Sequence, residues 1–200
     1  MLRERLKKDL LIFDGAMSHA RVYVNGQEAG YWPYGYNTFY LDVTPYLKEG
    51  MMNTLAVRLE NETESSRWYP GAGLYRNVHL VVTEDAHIPT WGTQLTTPVV
   101  KDDYAKVNIK TTLVVPSGKQ FDAYRIVTEL KDKNGKVVTT NEKQGTRFDD
   151  NVFSQELVVT HPALWSPETP VLYQAVSKVY EGNTLKDEYV TSFGIRTIEV

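Results

Sequence analysis

Two hundred residues carry 22 Lys and Arg against 25 Asp and Glu, a net charge of −3, divided evenly between the halves: 9 basic and 11 acidic up to residue 100, 13 and 14 beyond it. That balance excludes a basic nucleic-acid footprint and a polybasic grip on an anionic membrane, while 42% hydrophobic and 12% aromatic content fits a packed core rather than a disordered chain. The absence of cysteine excludes disulfides, thiolate nucleophiles and Cys-based zinc or iron–sulfur sites, and leaves the compartment open between bacterial cytoplasm and periplasm.

The first ten residues are charged and helix-compatible, though too short for a helix that stands alone. The apolar run Leu10–Phe13 is too short for a signal-peptide core of about 7–15 residues. The protein is therefore expected either to be cytosolic or to begin inside a longer natural chain. No stretch approaches the roughly 20 apolar residues of a membrane span. Leu10–Phe13 reads as a strand, and Ala20–Val24 alternates into Asn25-Gly26, the strongest short hairpin signal. Thr38–Val43, Thr54–Leu59 and Asn77–Thr83 follow as strands. Between them, Thr44-Pro45 through Gly50 reads as one helical turn with Thr44 as its cap. The pattern restarts near Ala86–Thr90. Strands are expected at Thr93–Val100, Ala105–Val115, Ala123–Leu130, Lys136–Thr140, Val152–Val159, Val171–Val179 and Glu188–Phe193. Turns are expected at Pro116-Ser117-Gly118, at a tight Asn134-Gly135 hairpin and at Glu181-Gly182-Asn183. About seven short strands with turns between them suit an immunoglobulin-like sandwich. The whole chain is thus expected to be all-β, in two domains covering residues 1–86 and 87–200.

Two clusters stand out chemically. Residues 31–40 hold six aromatics in ten. They are either a platform on which sugar rings stack or the filling of a sandwich core. Ser65 to Arg76 joins two glycines and a proline to Arg67, Trp68 and Tyr69, which either protrude from a fixed loop or fill a buried corner. Glu60, Glu62 and Glu64 share a face of any extended strand, where a row of like charges is ordinarily solvated. His19, His79, His87 and His161 lack the spacing of a local metal site. No nucleophile elbow, phosphate loop or dinucleotide fingerprint is present, so no catalytic residue, metal site or cofactor is expected in this chain. Asn61-Glu62-Thr63 fits a glycosylation sequon, which matters only in a eukaryotic secretory route.

Several phrases, in order, resemble the family-2 glycoside hydrolases. Phe13-Asp14-Gly15, Ala20 to Gly26, Gly35-Tyr36 with Phe39, Asp42-Val43-Thr44 and Tyr46-Leu47 are similar to their sugar-binding jelly-roll, which Trp68 to Arg76 closes. Leu164-Trp165-Ser166-Pro167-Glu168-Thr169-Pro170, Leu172-Tyr173 and Phe193-Gly194-Ile195-Arg196 are similar to their immunoglobulin-like domain. The resemblance implies the C-terminal part of a jelly-roll followed by an immunoglobulin-like sandwich. It implies a β-galactosidase-like parent, retaining, with two glutamates on a barrel that this chain lacks. Asn61-Glu62 and Asn141-Glu142 copy the Asn-Glu pair of the family's acid/base but stand in other contexts. Carbohydrate and the missing barrel are the implied partners. Arg67, Trp68 and Tyr69 fall at the implied substrate rim, and Arg67 stands where some β-galactosidases place an Asp. Unpaired strand edges give a route to self-association. A free carbohydrate-binding module and a structural or adhesive pair of sandwiches are the alternatives.

Overall fold

A computed structural model describes residues 7–62, 71–147 and 150–197. The chain divides into two compact units, Met1–Thr83 and Glu84–Val200. Both are built of β-strands, with two single turns of 3-10 helix among the described residues.

The first unit contains β1 (Lys7–Phe13), β2 (Ala16–Met17), β3 (Ala20–Val24), β4 (Gln27–Trp32), β5 (Phe39–Asp42), β6 (Leu55–Arg58), β7 (Gly73–Leu74) and β8 (Val78–Glu84). They form sheets in the orders β5-β1-β8 and β4-β3-β6, with β2-β7 as a short ribbon. In β3, Ala20, Val22 and Val24 point inward while Arg21 and Tyr23 are half-exposed, the period-2 pattern of a strand with one covered face. Phe13 and Phe39 are direct partners across β1 and β5. Their rings stack at 4.8 Å, and Trp32 stacks on Phe39 at 5.6 Å. With Leu11, Ala16 and Val43 these residues form the core of the unit.

The Asn25-Gly26 hairpin forms with φ of 52° and 82°, as a type I′ turn demands. The Asn25 amide donates to Tyr46 O and Asn53 Oδ1, each at 2.8 Å, and its Oδ1 accepts from Thr54 N. The turn is thereby fastened to both ends of the connection between β5 and β6. Two expectations need correcting. Residues 7–9, helix-compatible by sequence, extend strand β1 instead, and Asp9 O accepts from Val43 N at 2.9 Å. Thr44 does not cap its turn: Val43 holds that position, and the Thr44 hydroxyl accepts from Asp9 N instead.

The second unit contains β9 (Thr93–Val100), β10 (Tyr104–Thr112), β11 (Tyr124–Lys131), β12 (Val137–Gln144), β13 (Val152–Thr160), β14 (Tyr173–Glu181) and β15 (Thr184–Phe193). Its sheets run β13-β10-β9 and β12-β11-β14-β15, three strands and four, an immunoglobulin-like sandwich in which the fourth strand sides with the larger sheet. Strands β10, β11 and β13 alternate strictly between buried and outward residues.

One inward layer of this sandwich is polar. Thr128, Gln155 and Ser177 are buried on β11, β13 and β14, with Thr128 and Ser177 direct partners; Thr111, also buried, lies on β10 opposite Phe153. The Thr128 hydroxyl donates to Gln155 Oε1 at 2.8 Å and lies 3.2 Å from Ser177 Oγ; Gln155 Nε2 donates to Asn141 O at 2.9 Å. On one side lies an apolar cluster around Val107, Ile109, Leu157 and Tyr173, and on the other a cluster around Leu113, Tyr124, Ile126 and Phe153.

The open seam between edge strands β9 and β15 is closed by side chains. Asp187 Oδ2 accepts from Ile88 N at 2.8 Å, and Tyr189 Oη accepts from Trp91 N at 3.1 Å. Thr191 and Thr93 share a hydrogen bond at 2.7 Å, and Thr97 donates to Arg196 O at 2.9 Å. The Asn134-Gly135 turn departs from the tight form expected, because only Gly135 is left-handed. Asp132 Oδ1 accepts from Asn134 N and Lys136 N, and this side chain shapes a longer turn.

Candidate functional site

Arg67, Trp68 and Tyr69, the expected rim residues, lie outside the described residues, as does Glu64. The described chain on either side of residues 63–70 is held to one place. Before them, Glu60 N donates to Ser18 O at 2.9 Å and Ser18 Oγ donates back to Glu60 O at 2.8 Å. After them, β7 pairs with β2 through Ala16 with Leu74 and Met17 with Gly73. Glu60 and Gly73–Leu74, described on either side, are therefore both tied to residues 16–18.

A polar and aromatic surface of the first unit gathers around that anchor. His19, at φ 49°, sets Nδ1 2.7 Å from Tyr31 Oη and Nε2 3.8 Å from Glu62. Arg21 lies over the Tyr31 ring at 4.7 Å and pairs with Glu28 at 3.1 Å. Asp14 bonds His79 Nε2 at 2.9 Å. The Arg76 guanidinium lies 5.2 Å from the centre of the Tyr75 ring. Tyr75 Oη donates to Gly35 O at 2.8 Å, fixing the tip that displays Tyr34 and Tyr36, whose rings meet edge-on at 5.6 Å. A Cβ on Gly15 would lie 2.7 Å from the Tyr75 ring, so Gly here permits that close approach.

The aromatic run thus divides. Trp32 and Phe39 serve the core, while Tyr31, Tyr34, Tyr36 and Tyr40 are exposed. Strand β6 ends at Arg58, so Glu60 and Glu62 lie beyond it rather than on one strand face; Glu60 pairs with Arg58 at 2.8 Å. Of the two Asn-Glu pairs, Glu62 faces His19, and Glu142 on β12 is held by Arg125 at 3.0 Å. No group of three or more His, Asp or Glu among the described residues could hold a metal ion. The Asp14–His79 pair is a feature that reading the sequence missed. Its only signal is that Phe-Asp-Gly and the Arg76-Asn77-Val78-His79 strand start belong to adjacent strands, which pairing alone reveals.

In the second unit, two separated phrases prove to be one structural feature. Trp165 N donates to Ile195 O at 2.9 Å, and the Arg196 guanidinium lies 4.5 Å from the centre of the Trp165 ring. A Cβ on Gly194 would come within 2.8 Å of Trp165. The loop after β13 is thereby latched to the residues that follow β15.

Together these features define a class: two successive β-sandwich units, the first with a polar, aromatic end and neither with a described catalytic constellation. Residues 3–84 match the sequence profile of the sugar binding domain of glycosyl hydrolases family 2, and residues 86–196 match a second profile of glycosyl hydrolases family 2. The chain belongs to glycosyl hydrolase family 2. It is similar to the β-galactosidase BoGH2A of Bacteroides ovatus, 41% identical over 94% of this chain and 22% of that protein. A β-galactosidase of Thermoanaerobacter pseudethanolicus is 31% identical over 98% of this chain and 27% of its own length. Among solved structures, a family-2 glycosyl hydrolase of Bacteroides cellulosilyticus superposes with a TM-score of 0.90 at 35% identity, covering 98% of this chain and 25% of that one. A family-2 β-glucuronidase structure gives 0.86 at 27% identity. The chain spans about a quarter of the length of these relatives.

Proposed function

We propose that these two units are the non-catalytic accessory region of a retaining, β-galactosidase-like glycosidase whose hydrolysis is performed by a barrel outside this chain. The observation that carries the reading is the order of the two family matches, sugar-binding domain then second domain, across nearly the whole chain. Retaining hydrolysis needs two carboxyl groups about 5–5.5 Å apart, one protonating the leaving oxygen and one attacking the anomeric carbon. The two candidate Asn-Glu pairs instead engage His19 and Arg125. The work left to this chain is to bind and orient. In this reading Arg67, Trp68 and Tyr69 stand at the rim of the substrate site, and the second unit packs against the barrel as a spacer. An Arg at the rim would either favour a carboxylate-bearing sugar, since its fork matches carboxylate geometry, or pair with an acid of the protein itself. The chain needs no cofactor for such a role.

The test is a panel of p-nitrophenyl β-glycosides. The 200-residue chain alone is expected to release no nitrophenol. A chimera in which it replaces the matching segment of BoGH2A is expected to hydrolyse the β-galactoside, and Arg67→Asp in that chimera is expected to change KM more than kcat. Turnover by the 200 residues alone would overturn the reading, and so would a folded chimera without activity.

A further inference from the structure

We propose that the second unit carries a binding site of its own for neutral carbohydrate, an open cleft on the outer face of sheet β13-β10-β9 with Trp91 at its end. The cleft measures about 600 Å³ and is lined by Trp91, Gln94, Lys110, Thr112, Asp150 and Ser154, among others. That volume falls in the range of small-molecule sites, about 300–1,000 Å³.

The backbone builds this surface. Gln94, Lys110 and Ser154 are direct partners across the three strands, so their side chains stand in one row on the outer face, and Thr112 pairs with Val152 in the next row. Trp91 sits beyond that second row. It is 59% exposed, an unusual fate for the largest apolar side chain, and its φ is 59°, a conformation that a bulky residue rarely adopts. The turn that presents it is braced on every side. Gly92 N donates to Pro89 O at 2.7 Å, Thr112 N donates to Gly92 O at 2.7 Å, and Trp91 N donates to Tyr189 Oη. A Cβ on Gly92 would lie 2.7 Å from Pro89 O, so the turn has no slack there. A rigid, strained turn that displays an indole is a feature from which function can be argued.

The lining selects the ligand. Two hydroxyls, an amide, one cation and one anion can donate and accept in many directions yet sum to no charge, which suits a polyol better than a phosphate or a fatty chain. A pyranose has one face of C–H groups and a rim of hydroxyls. The exposed indole offers a flat apolar surface for the first, and the row Gln94, Lys110, Ser154 offers partners for the second. This inference goes beyond the accessory-region reading and stands or falls separately from the glycoside assay.

The test is an NMR titration of the 15N-labelled chain with lactose, with cellotetraose and with tetragalacturonate. The Trp91 indole N–H and the amides of Lys110 and Ser154 are expected to shift with the neutral sugars, saturating with a Kd of about 1 mM, the range of a small solvent-open site. Trp91→Ala is expected to weaken binding about tenfold or more, Trp91→Tyr by less, and the double change Gln94→Ala with Ser154→Ala about threefold to tenfold. The exposed positions make these variants safe for folding, which the amide spectrum checks. An unmoved Trp91 indole in a folded chain would overturn the proposal. So would equal binding by Trp91→Ala, or tighter binding of the acidic tetramer than of the neutral ones.

Discussion

Single side chains in this protein act mainly as fasteners, and their removal has distinct signatures. Gly194 leaves room for the Trp165 ring, and Gly194→Ala puts a methyl within 2.8 Å of it. The expected loss is about 1–3 kcal/mol, read from the urea midpoint, with the 4.5 Å Arg196–Trp165 contact disrupted. Glu181 illustrates a charge effect. Hydrogen bonds from Lys119 and then Lys186 hold its carboxyl below its ordinary 4.5. A lowered value means that the folded state binds the proton less readily than the unfolded chain. The stabilisation is therefore complete above pH 4.5 and disappears as the pH falls through the lower folded value. Glu181→Gln is expected to flatten the fall in stability between pH 5 and pH 3, measured as urea midpoints along a pH series, and to leave Trp91 and its cleft untouched. Asn25 shows a residue whose role was plain in the sequence only in part. The Asn-Gly pair announces the turn, but nothing in it announces the bonds to Tyr46, Asn53 and Thr54, which belong to loops 20 and more residues away.

Strands were legible where one face is buried, because alternation then appears directly in the residue pattern, as in β3, β10, β11 and β13. They were illegible where pairing alone makes the strand. Ala16–Met17 and Gly73–Leu74 are two residues each and carry no periodicity; they are strands only because they meet. Lys7 to Asp9 is helix-compatible by sequence, yet it belongs to β1, where Asp9 O accepts from Val43 N. The tyrosine-rich segment was ambiguous for a similar reason: which rings enter the core depends on the side of β4 and β5 that faces Phe13. Of the site, the anchor phrases were visible, whereas Asp14–His79 and Trp91 emerge only in three dimensions. The seam between β9 and β15 yields a sharp test. Asp187→Ala leaves the buried Ile88 N–H without its acceptor, and a loss of about 1–3 kcal/mol is expected; Asp187→Asn keeps an acceptor oxygen and is expected to lose less. Thr128→Val is expected to behave differently. It removes the centre of the polar layer and strands the Gln155 amide oxygen in the interior, so it destabilises, whereas joint replacement of Thr128, Gln155 and Ser177 by apolar residues of matching size is expected to recover stability. Thermal melts of the single and triple variants distinguish the two outcomes.

At the scale of the molecule, each unit owns its core: the stacked Phe13 and Phe39 belong to the first, and the two clusters flanking the polar layer belong to the second. Residues 84–200 expressed alone are accordingly expected to fold with a cooperative melt, and Phe13→Ala in the full chain, a loss of about 3–5 kcal/mol, is expected to act on the first unit's core. The family match places an all-β chain, with no catalytic constellation among the described residues, in a family of hydrolases. The seam has a mechanical side as well. Its contacts join residues 88, 91, 93 and 97 to 187, 189, 191 and 196 in rising order, so the first and last strands of the second unit lie parallel. A pull on the two ends of this unit runs along those strands in opposite directions. The four fasteners are then strained together in shear rather than peeled one after another, and a sandwich so tied resists extension.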